Sequence, residues 1–260
     1  MLQALIHAIK DMAQREIMPR YLKVAHEHKT DGSILTEADI AAQTALITSL
    51  RTICDCPVLG EEMTQEQQED IWATASDCLW CIDPIDGTSN FVKGLPYFAV
   101  SVALMRHGRP VLGAVYNPVA DEMFWAEQGK GAYLDDERLP IKEKVPELRH
   151  AMAGIDFKRL DRHLARQLAE APPFSSQRNF GASALDWCYV AAGRLDLYLH
   201  GGQKLWDYAA GALILAEAGG RMCTLSQDDF WSDDPWQRSV IAAWNPDLFA
   251  AWKAWIKAKQ

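Results

Sequence analysis

Two carboxylates close an oily run in the stretch CLWCIDPIDGTSNF, residues 78–91. Cys78-Leu79-Trp80-Cys81-Ile82 has the length and composition of a buried strand. Asp83 and Asp86 follow, with Pro84 between them and Gly87 after them. Pro84 has no N–H to continue a ladder, and Asp-Gly-Thr turns the chain toward a helix near Thr88. Both acids are therefore expected where a strand stops, which is where α/β proteins build their sites. Buried carboxylates are costly unless something positive meets them. An isolated D-x-x-D-G also reads as a tight turn with two solvated acids. Two more segments deliver acids at element ends, Gly60-Glu61-Glu62 and Trp206-Asp207. Each has an ordinary reading too, a solvated turn for the first and a helix cap for the second.

The elements that must position these acids follow from periodicity. Helical spacing of Leu5, Ala8, Ile9, Met12, Ala13, Ile17, Tyr21 and Leu22 predicts a helix over 2–25. Residues 26–35 read as a loop or loose hairpin. A second helix begins at Thr36-Glu37-Ala38-Asp39 and runs to about Arg51, and residues 57–62 read as a strand ending in acids. Strands over 97–105, 110–116 and 122–126 form an antiparallel meander. From about residue 150 short strands (151–155, 195–199, 239–243) alternate with helices (162–169, 183–192, 208–218, 246–259). The polar segment 134–149 is the expected hinge between two closely packed lobes.

Length and composition fit this. The 260 residues, 49% hydrophobic, allow one large domain or two small lobes. The tryptophans toward the C-terminus (Trp231, Trp236, Trp244, Trp252, Trp255) read as core and helix packing. A net charge of −9 argues against a nucleic-acid surface. It leaves room for an anionic substrate if metal ions supply positive charge locally. Residues 1–29 mix apolar and charged types, unlike a signal peptide, and no apolar run reaches spanning length. A cytoplasmic location without membrane attachment is expected, with the six cysteines reduced. Cys54-x-Cys56 and Cys78-x-x-Cys81 suggest zinc by spacing, but Cys78 and Cys81 fall in the strand run, where they act as small hydrophobes.

Taken together and in this order, the motifs resemble the inositol monophosphatase family of magnesium-dependent, lithium-sensitive phosphatases. The resemblance rests on W-x-I-D-P-I-D-G-T-x-N-F, here Trp80 to Phe91. It continues in W-D-x-A-A-G, here Trp206 to Gly211, and in Glu217-Ala218-Gly219-Gly220. It implies an α+β fold, the layered α-β-α-β-α sandwich of the inositol monophosphatase and fructose-1,6-bisphosphatase type. An N-terminal lobe (1–145) would carry most metal ligands, and a C-terminal lobe (146–260) Asp207 and the substrate-side segment. Two or three Mg²⁺ ions are implied. Glu61, Asp83 and the Ile85 carbonyl match the ligands of one, and Asp83, Asp86 and Asp207 those of a second, so that Asp83 bridges. Mg²⁺ prefers such hard oxygen ligands.

The resemblance also implies catalytic roles. Thr88 pairs with Asp39 of the T-x-x-D segment, and that pair, or Glu61 through a third metal site, orients the attacking water. Asp86, Gly87, Thr88 and Asp207 line the phosphate side. Gly181, Ala182 and Ser183 match a helix start that lines the substrate pocket, with the hydroxyl one place late. His200 stands where family members that use inositol monophosphate often carry glutamate. It reads either as a substrate contact or as an exposed loop histidine, and Arg178 either as a second anion contact or as a surface charge. The implied activity is hydrolysis of a small phosphate monoester of the inositol monophosphate type. The same chemistry on fructose 1,6-bisphosphate, histidinol phosphate or a 3′-phosphonucleotide is the near alternative, and a non-catalytic regulator on the same fold the distant one. A homodimer is expected, with the apolar meander as a possible interface.

Overall fold

Alternation along one strand sets the layering. In β4 (Leu79–Asp86), Leu79 and Cys81 face one core while Trp80 and Ile82 face another. Period-two geometry sends successive side chains to opposite faces, so a strand with every residue buried needs a layer on each side. The computed structural model describes residues 1–23, 26–28, 34–75, 77–142, 144–232 and 234–260.

A seven-stranded sheet has β4 near one edge. Its order is β3 (Val58–Gly60), β4, β5 (Ala99–Arg106), β6 (Arg109–Asn117), β7 (Glu122–Glu127), β8 (Ala132–Leu134) and β9 (Glu137–Arg138). Only β3 and β4 are parallel there. Helices α1 (Leu2–Met12) and α2 (Glu37–Ile53) cover its outer face through Leu5, Ile9, Ala42 and Leu46. The five-stranded sheet runs β11 (Ser176–Arg178), β10 (Met152–Asp156), β12 (Leu197–Gln203), β14 (Arg238–Ala243) and β13 (Arg221–Cys223). Between the sheets lie α6 (Ser183–Ala191) and α7 (Leu205–Glu217), whose residues are mostly buried. Helices α5 (Arg162–Glu170) and α8 (Pro246–Lys257) close the far side through Leu164, Leu168, Trp252 and Ile256. The result is the expected α-β-α-β-α sandwich. Short helices α3 (Gln65–Thr74) and α4 (Thr88–Lys93) join strands of the first sheet, and β1 (His26–His28) pairs β2 (Ile34–Thr36) as a hairpin. The residues connecting that hairpin lie outside the described ones.

Several boundaries differ from the sequence reading for definite reasons. Helix α1 gives way to a π-helical turn at Ala13–Ile17 rather than running to 25. Pro19 cannot donate to a continuing helix, and Leu22 sits at φ 67°. Pro84 does not end β4. The register passes from Asp83↔Ser101 to Asp86↔Ala99, so one extra residue bulges and the strand goes on. Strand β12 extends to Gln203, which puts His200 in a buried strand rather than an exposed loop. The segment read as a hinge is anchored by buried Leu139 and by Lys142, whose Nζ lies 2.7 Å from Asp196 Oδ1. Strands of the meander are covered on both faces within the chain. The cysteines are not all reduced. The parallel β3–β4 pairing brings Cys56 and Cys78 to a Cα separation of 5.6 Å, and they form a disulfide. This also replaces the view of Cys78 as a small hydrophobe.

Helix α7 is fixed at both ends. Asp207 Oδ2 accepts from the Lys204 N–H at 2.9 Å, and Glu217 accepts the Gly129 and Gly131 N–H groups at 2.8 and 2.9 Å. Its contact with α6 leaves no space at Gly211, where an added β-carbon would lie 2.4 Å from Trp187 Cβ. Alanine would raise helix propensity by about 1 kcal/mol. The clash is with an atom at the base of a side chain, so it cannot be relieved by a rotamer change. Overpacking of about 1–3 kcal/mol therefore wins. Gly211→Ala should lower the melting temperature in a thermal melt, by roughly 2–4 °C per kcal/mol.

Candidate active site

The bulge at Pro84–Ile85 is what makes the site. In a regular strand, residues three apart point to opposite faces. The extra residue shifts the phase, and carboxylate oxygens of Asp83 and Asp86 lie, with one of Asp207, within 4.8 Å of one another. Each acid is held separately. Asp83 Oδ1 accepts the Ile85 N–H at 3.0 Å, Asp86 Oδ2 accepts the Ala184 N–H at the start of α6 at 2.7 Å, and Asp207 caps α7. Among the described residues, no lysine or arginine forms an ion pair with any of the three.

Glu61 follows β3, its N–H bonded to Ile82 O at 3.2 Å, and shares the cavity wall outside the tight trio. The Thr88 hydroxyl lies 3.0 Å from Ile85 O and 3.4 Å from Asp39 Oδ1. Asp39 is buried behind it, with Oδ2 accepting the Thr36 N–H and hydroxyl at 2.8 and 2.6 Å. That capping box opens α2, so the ordinary helix-start role and the approach to Thr88 use different oxygens of one carboxylate.

The cavity holds about 190 Å³, and its wall includes Glu61, Asp83, Ile85, Asp86, Gly87, Thr88, Gly181, Ala182, Ser183, His200 and Asp207. Sites for drug-sized ligands are larger, about 300–1,000 Å³, so a small molecule is favoured. Gly87 has φ 89°, and a β-carbon there would meet Ala182 Cβ at 3.0 Å and Tyr97 O at 3.2 Å. Glycine is thus required by a close joint between two wall segments, in addition to any approach of a ligand.

Sequence reasoning missed Asp156, Arg159, Asn179 and Asp186, which also line the cavity. Asp156 ends β10, the same strand-end signal that marked Asp83, one residue past the expected strand. Asp186 was visible as a lone acid in the apolar run LDWCYV of α6. Arg178 is absent from the wall and bonds Ser176 Oγ and Gln177 O; Arg159 is the arginine that faces the cavity. His200 is buried with both ring nitrogens engaged. Nδ1 accepts the Gly202 N–H at 3.1 Å, and Nε2 lies 3.2 Å from Asp156 Oδ2. Burial lowers its pKa from 6.5 against the pull of Asp156, which favours the neutral ring with Nε2 directed at that carboxylate. Burial alone would raise the Asp156 carboxyl, but hydrogen bonds from His200 and from Arg159 Nη1 at 2.6 Å hold it below the usual range.

Electrostatics separate the trio from an ordinary polar patch. Burial, then Glu61, Asp86 and Asp207, raise the Asp83 carboxyl well above its usual value, and burial followed by Asp207 does the same for Asp86. Asp207 is pushed up to about 7, first by burial and then by Glu61. Asp186 is also pushed up to about 7 by burial, despite the 2.8 Å hydrogen bond from Tyr97. Converging hard oxygens that repel one another fit a divalent cation such as Mg²⁺.

A polar cavity floored by such acids, at strand and helix ends of a layered sandwich, fits the class of metal-assisted hydrolases of small anionic esters. The model described as Inositol monophosphatase family matches residues 1–256, and the chain belongs to that family. It is 40% identical over 201 residues to the Nus factor SuhB of Pasteurella multocida, covering 75% of this chain and 73% of that protein. It is 36% identical over 231 residues to the inositol-1-monophosphatase of Caulobacter vibrioides, covering 85% and 86%. Its fold matches the solved IMPase of Thermotoga maritima with a TM-score of 0.82 at 28% identity, over 100% of this chain and 99% of that one. The protein is a Mg²⁺-dependent phosphomonoesterase acting on a small phosphorylated substrate.

A carboxyl raised on folding keeps a proton that the unfolded chain has already lost. Its stabilising contribution is present at low pH and lost as pH climbs from the ordinary value of 3.8, disappearing above about 7 for Asp207. In EDTA this contribution to the melting temperature should fall across that window. Mg²⁺ should restore stability above it, by about 2.7 kcal/mol per site at a hundredfold excess over Kd. Thermal melts with and without Mg²⁺ across pH check this, and a metal-induced shift independent of pH would contradict it.

Proposed function

We propose that the protein hydrolyses a small phosphate monoester of the inositol monophosphate type, using two or three Mg²⁺ ions. The observation that carries this reading is the convergence of Asp83, Asp86 and Asp207 in a small polar cavity with Thr88 beside them. The name of the Caulobacter relative supports the substrate type. Glu61, Asp83 and the Ile85 carbonyl would hold one ion, and Asp83, Asp86 and Asp207 a second, with Asp83 shared. When bound, Mg²⁺ supplies positive charge to the phosphoryl oxygens and lowers the pKa of water.

The chain's own groups do the rest. The single Thr88 proton has two acceptors, Ile85 O and Asp39 Oδ1. If the Ile85 carbonyl were to hold a cation, the proton would go to Asp39, and the Thr88 oxygen would present its lone pairs to the attacking water. Glu61, which would hold a third ion, is the alternative group for orienting and deprotonating that water. Gly87, Gly181, Ala182 and Ser183 form the wall against which the ester is held. His200, neutral and fixed by Asp156, shapes the leaving-group side where a glutamate would otherwise stand, and Arg159 beside it favours a hydroxyl-rich or anionic group. Fructose 1,6-bisphosphate, histidinol phosphate and 3′-phosphonucleotides are the substrates to compare.

The division at 145/146 gives lobes that each contribute ligands, Asp83 and Asp86 from one and Asp207 from the other. A homodimer in the cytoplasm completes the reading. No helix among the described residues is long and apolar enough to cross a membrane. The net charge of −9 supports a metabolite rather than a nucleic acid as partner.

Turnover of a panel of phosphate monoesters by the purified protein tests the substrate. Inositol monophosphate should give the highest kcat/KM, EDTA should abolish activity, Mg²⁺ should restore it, and Li⁺ should inhibit. Preference for a bisphosphate or a nucleotide would overturn the substrate assignment while leaving the chemistry. Asp83→Asn should lower kcat/KM by about a thousandfold or more, roughly 4 kcal/mol. Thr88→Ala should lower kcat by about a hundredfold with little change in KM. A change in KM alone would make Thr88 a binding residue only.

A further inference from the structure

Three sulfur atoms meet at the foot of the strands that carry the site. Cys56 and Cys78 are joined, and the free Cys54 Sγ lies 3.3 Å from Cys56 Sγ and 4.0 Å from Cys78 Sγ. Cys54 is held there by its backbone, since its carbonyl accepts both the Cys56 N–H at 2.8 Å and the Trp80 indole N–H at 3.1 Å. It is half-buried at the end of α2, whereas Cys81, Cys188 and Cys223 are buried. Burial raises the thiol pKa of those three and keeps them unreactive.

We propose that Cys54, Cys56 and Cys78 form a thiol–disulfide exchange site, in which Cys54 moves the bond from between strands to within one loop. The Cys54 thiol loses its proton to water and the thiolate attacks Cys56 Sγ. The Cys54–Cys56 bond forms as the Cys56–Cys78 bond breaks, and the departing Cys78 thiolate takes up a proton. The oxidation level is unchanged, so the step needs no oxidant. Making the first disulfide does need one. With glutathione disulfide, two cysteine thiols become one disulfide and the oxidant becomes two glutathione molecules. The two arrangements differ mechanically. Cys56 precedes β3, which Glu61 follows, and Cys78 precedes β4, which carries Asp83 within it and Asp86 at its end. In the first arrangement the two strands are cross-linked at their starts, and in the second they are not.

The test uses the wild-type full chain, equilibrated in a series of glutathione–glutathione disulfide buffers at neutral and mildly alkaline pH. Samples are quenched with acid, free thiols are alkylated, and a peptic digest is mapped by mass spectrometry. Two isomers are expected, one with Cys54 alkylated and one with Cys78 alkylated. Their rate of interconversion should rise with pH by up to about tenfold per unit, as the thiolate fraction does. Cys54→Ser should hold the Cys56–Cys78 bond alone. A wild-type map with Cys56–Cys78 as the sole disulfide at every pH would overturn the exchange. A map with all three as thiols in every buffer would overturn the site itself. The wild-type map decides the matter even if the variant fails to fold.

Discussion

Mutual repulsion of three carboxylates is the constraint around which the molecule is arranged. Carboxylate oxygens of Asp83, Asp86 and Asp207 come within 4.8 Å of one another, and with the first two buried and the third half-buried little water screens them. Left to themselves the side chains would turn apart. A backbone N–H holds each one in place, from Ile85, Ala184 and Lys204 respectively. Those donors belong to a bulge and two helix starts, so three local structures oppose one electrostatic force. A cation reverses the sign of the problem, and the arrangement that is costly without metal becomes a binding site with it.

The layers explain how such a site can be rigid. Asp86 lies on the first sheet, yet its hydrogen-bond donor is on α6 in the central layer, and Asp207 starts the other central helix. Both helices are packed between the sheets with almost no exposed surface, and at Gly211 even a methyl group is excluded. Displacing one carboxylate would mean shifting a helix that touches both sheets. Interiors packed at crystal-like density resist such shifts.

Much of this was legible in the sequence, and the exceptions share a cause. The acids at element ends, the amphipathic helices and the meander are local patterns, and local patterns are what one chain displays. What escaped was set by contacts between distant residues. Pro84 looked like a strand terminator because the compensating bulge depends on the partner strand β5. An exposed loop stayed open as one reading of His200 because burial in β12 depends on pairing with Val240 of β14 and Asp156 of β10. Cys56 and Cys78 looked reduced because their approach depends on the parallel β3–β4 register. Arg159 and Asp156 were passed over because only the fold brings residues 156–159 to the cavity wall that Glu61 also lines. The early end of α1, by contrast, was announced by Pro19, which the helical spacing of its neighbours obscured.

The clasp of Glu217 on the 129–131 turn has a bearing on tolerance to change in that remote region. Glu217 lies ten positions beyond Asp207 in α7, a rod about 15 Å long at helical rise. A helix is stiff along its axis, so the turn acts as a datum for where the Asp207 carboxylate stands. Lengthening or shortening that turn would slide the rod and misplace an oxygen at its other end, although nothing near the cavity had been altered. The turn lies at the surface, where insertions are ordinarily absorbed without consequence. Here it is part of the alignment of the site, and the geometry of catalysis reaches as far as the turn between β7 and β8 of the first sheet.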